Sequence, residues 1–489
     1  MKGKNAGIRY KYHQVLYNTL HYTTREEETV FKRYIGDRAF YSKLFAVLIP
    51  IFVQNLITNF VNLLDNVMVG QVGTEPMSGV AIVNQLLFVF NLCVFGGLAG
   101  AGIFTAQYYG KNDQEGVRQT MRLKVWIAGV IVLVFGGALL LFGGGLIGLF
   151  LHEGQEALDL AATLGFGESY LHVMLLQIVP FAVTQVYAST LRGTGETLLP
   201  MRAGIAAVLV NLVFNYILIF GKLGFPALGV VGAAAATVLA RFVECAIVVV
   251  WAHRHTERLP YMRALYRSLR VPAALTRKVV VLGAPLLLNE LLWSGGMTML
   301  NQCYSLRGLE VVSAFNISST VGNLFFGAFI SIGDAISILI GQLLGAGELE
   351  RAVEDDRKLV AFSVAVSLLI AGLMALASPY VPLLYNTTGT VRALASRLLL
   401  ITALLMPAHA FANACYFTIR SGGKTLITFV FDSLFVWVLQ IPLAFALSRY
   451  TGLPILPMYA LVEGMNLVKC VIGLIMLRSR KWVVNLVKE

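Results

Sequence analysis

Charge is scarce in this chain. Of its 489 residues only 13% are Asp, Glu, Lys or Arg, about half the share of a typical soluble domain, so a solvated globular surface is excluded over most of the length. Paired cysteines are lacking too. Cys93, Cys245, Cys303, Cys415 and Cys470 stand singly inside apolar stretches, without the CxxC spacing of a zinc site or a redox pair, and read as small packing residues. No His or Asp cluster has metal spacing and no nucleophile has a nearby base, so neither an enzyme nor a bound cofactor is expected.

What the chain has instead is apolar length. It is 57% hydrophobic, with a mean hydropathy of +0.74, and apolar runs of roughly 20 to 28 residues recur along it, each long enough to cross a hydrocarbon core of about 30 Å. Lipid offers the backbone no hydrogen-bond partners, so the runs must be helices. The expected fold is all-α and integral to the membrane. Helices are placed at about 41–69, 80–108, 123–151, 160–190, 199–221 and 228–252, then at about 278–304, 312–342, 359–385, 393–419, 425–448 and 456–477. This divides the chain into a tail (1–39), an N-lobe of six helices (40–253), a linker (254–277), a C-lobe of six helices (278–478) and a second tail (479–489). About forty polar residues precede the first run, which is too long for the core of a cleaved signal peptide and reads as a signal anchor. The polar tail before Phe40 has no further reading.

The net charge of +12 sits between the apolar runs and at the two ends. It forms no single basic surface for nucleic acid. Nearly all Lys and Arg fall in one alternating set of loops, including 111–124, 192–202, 254–278, 351–358 and 420–424, so both termini are expected on the cytoplasmic side of a plasma membrane.

The two halves resemble each other. Gln107-Tyr108-Tyr109-Gly110 near the end of the second run matches Gln342-Leu343-Leu344-Gly345 near the end of the eighth, and Pro50 matches Pro285 at the same offset of 235. Thr190-Leu191-Arg192-Gly193 through Thr197 likewise matches Thr418-Ile419-Arg420-Ser421 through Thr425, at an offset of 228. Both matches fall at helix ends on one side, which makes the repeat parallel, with an axis along the membrane normal and a central cleft between the lobes.

Ionisable groups at membrane depth are costly and therefore candidates for function. Asp65 lies in the outer half of the first helix, with Asn55, Asn59 and Asn62 read as a polar stripe facing the lobe interior; the alternative is an Asp hydrated at the outer interface. Asn211 and Asn215 are four apart on the fifth helix, and Ala233 and Thr237 four apart on the sixth. Carboxylate, amide, hydroxyl and carbonyl oxygens suit a hard cation such as Na⁺ by the ligand logic of Ca²⁺ and Mg²⁺. The same cluster, by desolvating Asp65, suits a proton carrier, and polar glue between helices is a third reading of the Asn pair. In the second half Glu290 and Asp334 lie mid-helix without a basic partner nearby in sequence. Glu290 with Trp293 one turn on offers an organic cation both an opposite charge and an aromatic face. His409 is either a group that titrates near neutral pH or a structural hydrogen-bonding residue. Arg241 and Glu244 are spaced to pair with each other. Asp432 fits packing and function equally well.

On these residues the chain resembles the multidrug and toxic compound extrusion (MATE) family of the multidrug/oligosaccharidyl-lipid/polysaccharide (MOP) flippase superfamily, from about residue 35 onward. The resemblance is carried by Leu63-Leu64-Asp65-Asn66-Val67-Met68-Val69-Gly70, Gly102 through Gly110, the repeated Arg-containing loops, Asn211 through Tyr216, Pro285 through Trp293, and Gly341 through Gly345. It implies two six-helix lobes around an outward-facing cleft, and antiport of organic cations or amphipathic compounds against Na⁺ or H⁺ by a monomer among membrane lipids. It places the cation site on Asp65, Asn211, Asn215 and Thr237, and marks Glu290 as a C-lobe acidic residue. Two departures stand out: Asn215 replaces an Asp that some members have, and His409 falls near an Asp found in members that bind a cation in the second lobe. A lipid-linked saccharide flippase shares the broader fold and is the alternative, but the mainly acidic intramembrane charges weigh against it.

Overall fold

A computed structural model describes residues 33–151 and 159–488, apart from the side chains at 59, 61–64, 66, 67 and 324. The tail of residues 1–32 and the Asn59 and Asn62 side chains of the expected polar stripe lie outside the described residues. The architecture is the expected one: among the described residues it is all helical, with twelve helices long and apolar enough to span a membrane. In chain order they are α1 (Arg38–Gly70), α2 (Thr74–Gly110), α3 (Gln114–Gly148), α4 (Leu160–Gly193), α5 (Leu198–Phe220), α6 (Gly229–Arg254), α7 (Ala273–Ser305), α8 (Leu309–Ala346), α9 (Leu349–Ala377), α10 (Gly389–Ser421), α11 (Thr425–Tyr450) and α12 (Ile455–Arg478).

Several helices extend past the apolar runs because local chemistry sets their ends. The Asp113 carboxylate accepts a hydrogen bond from the Gly116 amide at 2.8 Å, an N-cap that starts α3 at Gln114, well before the expected 123. Gly347, at φ +80°, supplies the left-handed turn after α8, so α9 begins at Leu349 and not at 359. That helix also stops at Ala377, short of the expected 385, and a 3₁₀ turn follows at Val381–Leu384.

Each half has its own large apolar core. One is built around Val83, Phe90, Tyr187 and Val248, the other around Phe329, Leu399, Phe417 and Met406. Helices α1 and α7, which carry Pro50 and Pro285, cross between them. Leu44, Val47, Leu48 and Ile51 of α1 are buried with α8 residues in the second core, and Leu286 of α7 packs on Ala99 and Ile103 of α2. At the α2–α7 contact a Cβ on Gly100 would lie 2.6 Å from the Gly283 Cα, a close approach that only small residues permit.

The lobes are joined toward one face, the basic face where α2, α4, α8 and α10 end. Gln107 of α2 donates to the Ser421 carbonyl of α10 at 3.0 Å. Its repeat mate Gln342 of α8 donates to the Gly193 carbonyl of α4 at 3.1 Å. The segment after α12 threads beneath the same junction: the Gln107 side chain also accepts from the Leu486 amide at 2.7 Å and donates to the Val484 carbonyl at 3.2 Å. The segment between the halves docks on α3, where Arg118 and Arg122 donate to the carbonyls of Tyr261 (3.1 Å) and Leu265 (2.9 Å).

Candidate functional site

The polar residues of α1, α5 and α6 converge inside the first lobe. Asn211 and Asn215, four residues apart and so on one helical face, are 4% and 1% exposed. Asn215 Nδ2 donates to Asp65 at 2.5 Å and to Asn211 Oδ1 at 3.1 Å. Asn211 Nδ2 then donates to the Thr237 hydroxyl at 3.1 Å. All four candidate residues of the N-lobe thus stand in one hydrogen-bonded chain, with Ala233 buried a turn from Thr237. The amide oxygen of Asn215 is buried without a partner, and a buried polar atom left unpaired costs about 1–3 kcal/mol. The Asp65 carboxylate, the Asn215 amide oxygen and the Thr237 hydroxyl are oxygen types that could serve a hard cation.

Asn55 departs from the expected stripe. It donates to the Ser331 hydroxyl of α8 at 2.9 Å, toward the C-lobe. The reason is angular: ten residues at 3.6 per turn leave Asn55 about 80° around α1 from Asp65, so the two residues face different lobes.

The C-lobe candidates do not form a single site. His409 pairs with Glu463 of α12 at 3.2 Å and meets the edge of the Phe326 ring. Asp432 pairs with Lys469 at 2.5 Å and accepts from Asn289 at 3.2 Å. Asn289 also accepts from the Ser433 hydroxyl at 2.8 Å and donates to Tyr416 at 3.3 Å, closing a network between α7, α10 and α11. A π-helical stretch, Val430–Leu434, carries Asp432. Glu290 instead faces α2, since a Cβ on Gly96 would lie 3.1 Å from the Glu290 Cγ. Trp293 is half-buried one turn further along α7. Arg241 and Glu244 pair at 2.8 Å, as their spacing predicts.

Asp334 opens onto a cavity of about 120 Å³ between the lobes, lined also by Arg192, Arg420, Gln185 and Ser337. One sequence expectation is corrected here. Arg192 and Arg420 belong to the last turns of α4 and α10 rather than to loops, and Arg420 is 8% exposed. Glu290 and Asp334 have no basic partner nearby in sequence, but in space both lie within electrostatic reach of Arg420, and Asp334 also within that of Arg192. The partners were hidden because they stand more than eighty residues away in sequence.

Further buried charges escaped the sequence reading. Lys124, fully buried, donates to Thr190 at 3.1 Å. At the matching place in the other half Thr418 donates to the buried Asp356 at 2.5 Å. Among the described residues no group of three or more His, Cys, Asp or Glu is arranged to hold a metal ion.

Two separate stretches, residues 50–217 and 285–446, match the MatE family. The chain is 25% identical over 420 residues to the probable multidrug resistance protein YoeA of Bacillus subtilis, covering 84% of this chain and 87% of that one. It is 24% identical over 441 residues to the probable multidrug resistance protein NorM of Thermotoga maritima, covering 90% and 92%. A solved structure described as the outward-facing conformation of a multidrug resistance MATE family transporter of the MOP superfamily shares the fold, with a TM-score of 0.81 at 19% identity over 92% of this chain and 97% of that one. With each half matching the family separately and relatives aligned over nearly their whole length, the chain belongs to the MATE family of multi-pass membrane transporters.

Proposed function

We propose that the chain is a secondary active antiporter that exports organic cations or amphipathic compounds in exchange for Na⁺ or H⁺ by alternating access. The observation that carries this reading is the chain Asp65–Asn215–Asn211–Thr237, with the orphaned Asn215 oxygen beside the carboxylate. A cation or proton arriving there would relieve both the buried charge and the unpaired oxygen. It would also draw on α1, the helix that packs against the other lobe. Glu290, facing the junction, balances the charge of a cationic substrate. The names of the relatives point to drug export. For a monovalent ion, a potential of about 150 mV supplies about 3.5 kcal/mol, enough for a gradient of a few hundred-fold if exchange moves one net charge. The distribution of Lys and Arg favours a plasma membrane location with both termini cytoplasmic. The protein is proposed to act as a monomer.

The test is efflux of a fluorescent organic cation from proteoliposomes under separately imposed Na⁺ and pH gradients. Asp65→Asn is expected to lose gradient-driven movement while folding and inserting normally, and Glu290→Gln to weaken it for cationic dyes. Efflux by Asp65→Asn equal to wild type would sink the mechanism. One observation favours a second reading, a lipid-linked saccharide flippase: Arg192 and the buried Arg420, both lining the cavity, would meet an anionic headgroup. Asp334 and Glu290 beside them weigh against a pyrophosphate. Failure of every cationic dye to move under any gradient would favour the flippase.

A further inference from the structure

The cavity at the base of the junction has its own charge logic. Arg192 comes from the first lobe and Arg420 from the second, at matching positions of the repeat, and both line it. Among the described residues neither guanidinium lies within the 4.0 Å of a carboxylate that makes an ion pair. Arg420 is held by the faces of Tyr416 and Phe417, with ring centroids at 5.9 and 5.5 Å. Arg192 has no such support, and its Nε is buried with no acceptor. The Ser337 hydroxyl, also on the cavity, is buried and unpaired as well. Two cations against the single lining carboxylate of Asp334 leave the cavity net positive, and the rest of its wall mixes apolar residues such as Phe95, Leu98 and Ile338 with the neutral polar Gln185, Ser189 and Ser421. A guanidinium fork is built to donate to a carboxylate or phosphate, and one with a buried, unpaired N–H is a donor set open to an anion. The volume exceeds the share of a single water.

Glu290 lies outside the cavity lining, against a point further along the same helix α2. It packs on Gly96 of α2, while Ala99, Gly102 and Ala106 of that helix line the space below. From Gly96 to Gly102 the helix rises about 9 Å. An acidic group and an arginine pair at that separation match the two ends of a zwitterion. Resting on the export reading, we propose that the cavity is the anion-binding end of the substrate site: Arg192 and Arg420 hold the carboxylate of a zwitterionic amphiphile whose cationic end lies toward Glu290. The repeat then has a direct use, since one arginine from each lobe grips the same group, and the grip is lost when the lobes part at the basic face.

The experiment uses two dyes that differ in one bond, rhodamine 110 with a free carboxylate and rhodamine 123, its methyl ester. Binding to the full-length purified protein is read by fluorescence anisotropy. Arg192→Gln is the main variant because, among the described residues, the Arg192 guanidinium has no ion pair and no aromatic face, and its Nε has no acceptor. The expected result is a weakening of about tenfold or more for the free acid, with the ester within about twofold of wild type and partial recovery in Arg192→Lys. Arg420→Lys should weaken the free acid alone, because a point charge keeps attraction but loses the fork. Ester binding in each variant confirms the fold. Equal changes for acid and ester, or an unchanged acid-to-ester ratio, would overturn the arginine site and leave the export reading standing. Wild type binding neither dye would overturn both.

Discussion

Replacing Gly345 with Ala tests whether the contact between α2 and α8 is what keeps the basic face shut. A Cβ on Gly345 would fall inside the van der Waals envelope of the Gln107 carbonyl, and one on Gly110 inside that of Gln342, the same collision in each half of the repeat. The obstacle in both cases is backbone, which cannot rotate away, so the helices must separate. Overpacking of this kind costs about 1–3 kcal/mol. Separation also stretches the Gln107–Ser421 and Gln342–Gly193 bonds, each worth about 0.5–1.5 kcal/mol. Both penalties fall only on the closed arrangement. A total of about 2–6 kcal/mol moves the equilibrium toward opening by about 30-fold at the low end and about 10⁴-fold at the high end. The assay places a single thiol in the cavity with Ser189→Cys, in a background without the five native cysteines. An impermeant maleimide is then applied to vesicles of each orientation. Gly345→Ala should raise the labelling rate by at least tenfold from the basic side only, and Gly110→Ala should do the same. Rates within twofold of the parent from both sides, in a variant that melts normally, would refute the reasoning.

Three other outcomes follow from the described contacts. Thr190→Val should destabilise the protein by about 1–3 kcal/mol because it strips buried Lys124 of its hydroxyl partner, whereas Lys124→Met, similar in shape and without the charge, should be neutral or stabilising; thermal unfolding in detergent gives the order. Asn289→Ala removes one side chain that serves Asp432, Ser433 and Tyr416, and should cost about 2 kcal/mol or more, seen as a lowered melting temperature and loss of monodispersity. Gln107→Ala should mimic Gly345→Ala more weakly in the labelling assay, since it removes bonds without adding bulk.

The helix count, the parallel repeat and the N-lobe cluster were legible because each rests on a short-range signal. Apolar length marks a span, Gln107 and Gln342 mark equivalent ends, and the four-residue step from Asn211 to Asn215 fixes a shared face. What could not be read depends on distance in space between residues remote in sequence. Asp432 and Lys469 are 37 residues apart and neutralise each other on adjacent helices, so neither looks paired from its neighbours. Arg192, Arg420 and Lys124 were assigned to loops because hydropathy registers where lipid ends, not where the helix does. The Asp113 cap and the first turns of α3 carry the chain well past that limit, and a charge there can fold back into protein. The divergence of Asn55 from Asp65 has a simpler origin: steps of three and four drift around a helix, and after ten residues the stripe no longer faces one way.

The lengths of α2 and α8, 37 and 38 residues, carry a consequence for how the molecule can open. At 1.5 Å per residue each runs about 55 Å, against a hydrocarbon layer of about 30 Å, so a good part of each helix stands outside the lipid tails. Gln107 and Gln342 lie at the very ends of this overhang. When the lobes part there, their amides and the facing carbonyls meet water rather than hydrocarbon and exchange one set of partners for another. A seal made of amides within the bilayer core would have to break into a medium with no replacement donors. Set at the tips of long levers, the same bonds can be made and broken at every cycle, and a small tilt near the bilayer centre becomes a wide separation where the seal sits.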